Sequence, residues 1–220
     1  MQPVKILRFL IGDLKEDLSA GRVSRVRVRH CARSLAAASA VYWERIGSVT
    51  REAPLKRIFL LRHAQAEGQD PAGSDFERPL TERGQAAAAA VGAYMVRMRW
   101  RPAAVLCSPA RRARETWEAL ARDWPATRPS AEDAALYEAG PAQVVACLHH
   151  VPADADSVLV VGHNPAIQQA ALDLAGGGNT AAYAQMKARF PTAGLALLEA
   201  DVADWSDSIW SITRSEEHTS

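Results

Sequence analysis

From Arg57 onward, short apolar runs alternate with longer stretches of helical periodicity, and glycine, proline or a polar pair closes each run. That alternation predicts β-α-β units assembled into an α/β fold with a mainly parallel sheet. The first strand, Ile58 to Leu61, ends abruptly in Arg62-His63. After a polar loop with Pro71, Gly73 and Pro79, Thr81 is placed to cap an alanine-rich helix running through Met98. A second strand, Ala103 to Cys107, meets Ser108-Pro109, which reads as an N-cap serine with proline at the first helical position and predicts a helix to about Arg122. Pro141 opens a helix ending near His150. Ser157 to Val161, almost wholly β-branched or leucine, is the most strand-like segment and stops at Gly162-His163. Asn164-Pro165 repeats the cap-plus-proline device, and its helix runs to Gly176-Gly177-Gly178. Two last strands, Gly194 to Glu199 and Ser208 to Thr213, read as antiparallel or edge strands.

The two ends lie outside this pattern. Residues 1–54 hold a basic, valine-alternating patch, VSRVRVRHCARS, and an alanine-rich stretch, with nothing tying them to the following units, so they are assigned to an N-terminal extension. Residues 55–213 form the domain. The closing RSEEHTS, residues 214–220, is the heptapeptide that a common sequencing-adapter oligonucleotide encodes in frame, and is read as a non-native tail.

Composition narrows the function classes. With 26 basic against 25 acidic residues, nothing in the charge balance calls for nucleic acid or an anionic membrane. Cys31, Cys107 and Cys147 stand far apart and form no ligand cluster, which points to a reducing compartment and no structural zinc. The longest apolar stretch, Ala86 to Val96, is too short to span a bilayer, and acidic residues interrupt the N-terminus before a signal core can form. A cytoplasmic protein is expected.

Candidate chemistry comes from where the strands end. In an open parallel sheet with right-handed crossovers the strand C-termini share one edge, so Arg62-His63, Ser108 with Arg112 a turn later, and Gly162-His163 can converge. Helical side chains tilt toward the N-terminus, which lets Arg112 reach back to that edge. The helix after Asn164 presents backbone N–H groups there as well. Such a cleft suits an anion. A neutral imidazole is a competent nucleophile toward phosphorus, guanidinium groups bind phosphoryl oxygens bidentately, and a second histidine can donate a further bond. Flanking cations also disfavour protonation of the nucleophile. The set asks for no cofactor and no metal.

LRHAQAE at 61–67, PLTERG at 79–84, SPARRARETWE at 108–118 and VGHNPAI at 161–167 together resemble the boxes of the histidine phosphatase superfamily, in order and at domain-compatible spacing. The last box, with FPTAGLALLEAD at 190–201, is similar to the form found in SixA-type phosphohistidine phosphatases. The resemblance spans about residues 56–213. It implies a phosphoglycerate mutase-like three-layer α/β/α sandwich, a transiently phosphorylated His63, and Arg62, Arg112 and His163 holding the phosphoryl group. Asn164, at its helix start, is read as a further phosphate contact, and Gln65, just after the first box, either as a substrate contact or as part of a loop that hydrogen-bonds to itself. The family's usual proton donor is an acidic residue for which the candidate here is Glu138, in ALYEAG. Only 25 positions separate Glu138 from His163, too few for the cap insertion carried by the mutase relatives, so an open groove and a protein substrate are expected.

Three functions follow as expectations. The first is hydrolysis of protein phosphohistidine, whose leaving imidazole carries its own proton. The second is hydrolysis of small phosphate esters, which draws on Glu138 because an alcohol leaving group gains roughly 10² to 10⁴ from a general acid. The third is a non-catalytic phosphoprotein-binding module. Some pairs are plainer: Arg29-His30 reads as a solvated face, His149-His150 as a favourable charge pair at a helix end, Arg111, Arg114 and Arg83 as helix-surface charges, Gly84 as packing, and Cys107 as a buried small hydrophobe.

Overall fold

In the computed structural model the described residues are 4–10, 55–68, 73–124, 131–176, 181–200, 202, 204 and 205, and the apolar runs among them build one six-stranded sheet. Its strands are β1 (Val4–Leu10), β2 (Lys56–Arg62), β3 (Ala104–Cys107), β4 (Ala131–Glu132), β5 (Ser157–Gly162) and β6 (Leu195–Ala200), ordered β1-β6-β2-β5-β3-β4. The pairs β2·β5, β5·β3 and β3·β4 are parallel, whereas β6 runs antiparallel to both β2 and β1. Every residue of β5 is buried, as expected for a central strand covered on both faces.

Side chains alternate across a strand, so β2 feeds two cores. Ile58 and Leu60 join Val158, Val160, Ala196 and Leu198 on one face, while Phe59 and Leu61 join Leu159, Val161, Leu195 and Leu197 on the other. Helices α1 (Glu82–Arg97) and α2 (Arg111–Ala121) cover the Phe59 face. Helices α3 (Pro141–Ala146), α4 (Ala166–Leu174) and α5 (Ala181–Ala188) cover the Ile58 face. The result is the three-layer α/β/α sandwich. No helix among the described residues is long and apolar enough to cross a membrane.

Thr81 caps α1 as the sequence predicts, accepting from the Gly84 amide at 2.9 Å. Gly84 is where α1 meets the loop after β2, and a Cβ there would run into the Gln65 carbonyl. The helix from Pro141 gives way after Ala146 to a 3-10 turn, Cys147–His150.

Three expectations change. Neither Ser108 nor Asn164 caps a helix: α2 starts after Ala110 and α4 after Pro165, each without a side-chain cap, while Ser108 Oγ lies against His163 Nε2 and Asn164 Nδ2 donates to Phe190 O. The strand predicted at Gly194 is antiparallel but interior, flanked by β2 and by β1. β1 itself comes from the segment read as unconnected to the rest. Ser208–Thr213, Arg29-His30, Cys31 and the 214–220 tail lie outside the described residues.

Candidate active site

The C-terminal ends of β2, β3 and β5 share one edge of the sheet, and main-chain bonds lock them there. His63 N donates to Gly162 O at 2.9 Å, and Ser108 N to Val161 O at 3.0 Å. The predicted convergence follows: the His63 and His163 rings lie 5.1 Å apart, centroid to centroid. His63 Nδ1 is 2.7 Å from its neighbour's carbonyl, Ala64 O. A carbonyl only accepts, so Nδ1 carries the proton and Nε2 keeps its lone pair.

Each arginine is held by backbone. Arg62 Nη1 donates to Phe190 O at 2.8 Å, an oxygen that also accepts from Asn164 Nδ2 at 3.1 Å. Arg112, only 6% exposed, donates from Nη1 to Asp75 O at 2.6 Å and pairs through Nη2 with the Asp75 carboxylate at 3.0 Å. Thr116 joins α2 to the histidine loop: its hydroxyl accepts from Ala64 N at 2.9 Å and donates to Arg112 O at 2.6 Å. Glu115, on the same helix, accepts from Leu80 N at 2.6 Å and so fixes the PLTERG loop.

Burial, followed by the positive groups of His163, Arg112 and Arg62, brings His63 down to about 3, although its bond to Ala64 pulls the other way. Burial and then Arg112 bring His163 down to about 4. Both imidazoles are neutral near pH 7. Four of the six buried side-chain polar atoms without a partner among the described residues belong here: Arg62 Nε, Arg112 Nε, His163 Nδ1 and Asn164 Oδ1. Two of these, the guanidinium Nε atoms, are donors with no acceptor among the described residues, so an anion is the ligand chemistry the cluster accommodates. No group of three or more His, Cys, Asp or Glu side chains among the described residues is spaced to hold a metal ion.

A model of the histidine phosphatase superfamily (branch 1) matches residues 58–142. The crystal structure of a protein proposed to be the phosphohistidine phosphatase SixA from Agrobacterium tumefaciens is 32% identical, covers 64% of this chain and 90% of its own, and superposes with a TM-score of 0.58. The chain belongs to the histidine phosphatase superfamily. A second structure with the same proposed assignment, from Nakamurella multipartita, is 30% identical with a TM-score of 0.62 and covers 73% of this chain and 92% of its own. An uncharacterised protein of Mycobacterium tuberculosis is 35% identical over 149 residues, 67% of this chain and 90% of that protein. Phosphatase chemistry is what this membership supports.

Within that superfamily framework, His63, Arg62, Arg112, His163 and Asn164 gather at one edge. Gln65 is exposed, and its main-chain carbonyl accepts from Thr81 N and Oγ1 at 2.9 and 3.2 Å. Glu138 is also exposed, on left-handed backbone with φ 58°. Its neighbour Tyr137 stands edge-on to His163 at 5.9 Å and to Phe76 at 5.1 Å, with the Arg112 guanidinium 5.9 Å from its ring centre. The carboxylate bonded into the cluster is Asp75, which sequence reasoning missed. Its one signal is Arg78 three residues on, whose Nε donates to Asp75 Oδ1 at 2.7 Å.

Proposed function

We propose that the protein is a phosphohistidine phosphatase of SixA type, removing phosphate from a protein phosphohistidine through a phospho-His63 intermediate. The observation that carries the reading is the state of Asp75. Burial alone would raise it, but the bond from Arg78 and the charge of Arg112 outweigh that and hold it below the usual carboxylate range. A group kept ionised is a poor proton donor at neutral pH. A leaving group that brings its own proton needs none, and the imidazole of phosphohistidine is one. The relatives from Agrobacterium tumefaciens and Nakamurella multipartita support the same substrate class.

In this reading the His63 Nε2 lone pair attacks phosphorus while the bond from phosphorus to the substrate imidazole breaks, and the pair returns to that ring. Arg62, Arg112 and His163 hold the phosphoryl oxygens, with Asn164 at the rim, and protein groups supply all the charge stabilisation without a metal. Water then attacks the phosphorus of phospho-His63, giving inorganic phosphate and restoring the neutral ring. Rapid quench during turnover of a phosphohistidine protein is expected to trap acid-labile phosphate on residue 63, and His63→Ala to lose activity by on the order of 10⁴ or more. Full turnover by that variant would end the reading.

One observation favours the ester reading: Glu138 directly follows the Tyr137 that lines His163. A Glu138→Gln variant that loses activity on an alkyl phosphate while keeping it on phosphohistidine would transfer the acid role to Glu138 and the substrate class to esters. Binding of phosphoprotein without phosphate release would leave a non-catalytic module.

A further inference from the structure

Ser108 sits at the end of β3, fully buried, and among the described residues two hydrogen bonds reach its hydroxyl. The Ala110 amide donates to Oγ at 3.4 Å, and His163 Nε2 lies 2.8 Å away. A hydroxyl has one hydrogen to give. If Nε2–H donated to Oγ, that hydrogen would be left buried without an acceptor, and His163 Nδ1, which has no partner, would be left as a bare lone pair among guanidinium groups. If Oγ–H donates to Nε2, the hydroxyl is satisfied and a single orphan remains, an N–H on Nδ1. Leaving one donor unpartnered costs less than leaving two polar atoms so. An N–H is also what an acceptor-only phosphoryl oxygen pairs with.

We propose that Ser108 is a positioning residue: its hydroxyl donates to His163 Nε2 and fixes the ring proton on Nδ1, where it meets a phosphoryl oxygen. This rests on the reading of His163 as a phosphoryl contact. The charged and titratable groups around the ring are Arg112, Asp75, Arg62 and Arg78, with His63 and Tyr137 against its faces. None of them reaches Nε2, so the tautomer is set by Ser108.

The sign of one shift separates this from a merely structural serine. A hydroxyl that donates to Nε2 stabilises the neutral ring, so its removal raises the pKa of His163; a hydroxyl that accepts from Nε2–H stabilises the charged ring, so its removal lowers it. Nitrogen-15 spectra of the histidine rings of the full chain near pH 7 are expected to show His163 protonated on Nδ1. In Ser108→Ala the proton moves wholly or partly to Nε2, the ring titrates at higher pH, and inorganic phosphate binds roughly tenfold more weakly. Ser108→Cys, close in size but a weak donor, falls between the two. A wild-type ring protonated on Nε2, or a downward shift of its titration in Ser108→Ala, overturns the proposal, and the wild-type spectrum decides even if a variant fails to fold. Failure of the phosphatase reading looks different: phosphate would not bind the wild type, although the Nδ1 proton and its dependence on Ser108 stood.

Discussion

The two ends of β2 both bury a cation and treat it in opposite ways. At the start of the strand, Lys56 is 3% exposed, and its ammonium donates to Ala153 O at 3.0 Å and Ala155 O at 2.7 Å, with the Trp205 ring 5.2 Å away. Trp205 Nε1 donates to the same Ala155 carbonyl at 2.8 Å, so the far end of the described chain is fastened to this lysine. At the other end, six residues on, Arg62 and Arg112 keep buried Nε atoms without partners, and His163 and Asn164 add an unpartnered atom each. A buried polar group left unsatisfied is unfavourable by about 1–3 kcal/mol. The Lys56 end avoids that penalty, and the His63 end accepts it. The satisfied cation serves stability, and the unsatisfied set fits the ligand-binding role proposed for that end.

The comparison can be broken most strongly at the open end. Arg112→Ala is expected to lower turnover per folded molecule by on the order of 10² to 10³ if the guanidinium holds the transferring group, on top of the stability lost with its bonds to Asp75. An unchanged rate would remove Arg112 from the site. At the closed end Lys56→Met inverts the pattern: two carbonyls and the Trp205 indole lose their shared partner, unfolding in urea shifts by about 1–3 kcal/mol, and turnover per folded molecule stays the same. A loss of turnover without a loss of stability would show the two ends to be coupled.

The smallest effect is one of pH. His63 and His163 are depressed to about 3 and about 4 in the folded chain, against about 6.5 when unfolded. Between those values the unfolded chain binds more protons, so stability is fully present above about pH 6.5 and is lost as pH falls toward 4 and then 3. Each ring contributes on the order of 1 kcal/mol once water screening is allowed for. Urea titrations at pH 7 and pH 4.5 are expected to show a smaller difference in His163→Gln than in the wild type; an equal difference would mean that the ring is already protonated at the lower pH.

How far the sequence reaches depends on how local each interaction is. Arg62, His63 and His163 could be read because they end apolar runs, and Arg112 because it lies in the first turn of a helix that opens just beyond the same sheet edge. Asp75 could not, since its pairing with Arg112 spans 37 positions and depends on the path of the loop before α1. Tyr137 is out of reach for a similar reason, since its edge-on contact with His163 joins residues far apart in sequence. Ser108 and Asn164 have the composition of helix caps, yet each is drawn into tertiary contacts, Ser108 Oγ with His163 Nε2 and Asn164 Nδ2 with Phe190 O, and both helices start beyond them. The place of β1 was hidden too, because no short segment encodes which distant strand it will pair with.

The sheet order also governs when the surroundings of His63 come together. β2 leaves the ribosome early, but its two neighbours are β5 and β6, roughly 100 and 140 positions later, and the Arg62 and His63 amides are tied to Gly194 and Gly162 respectively. These are contacts of long sequence separation, the kind that form late in folding. During synthesis His63 is therefore present before the strands that flank it, and its surroundings are complete only once β6 lies beside β2.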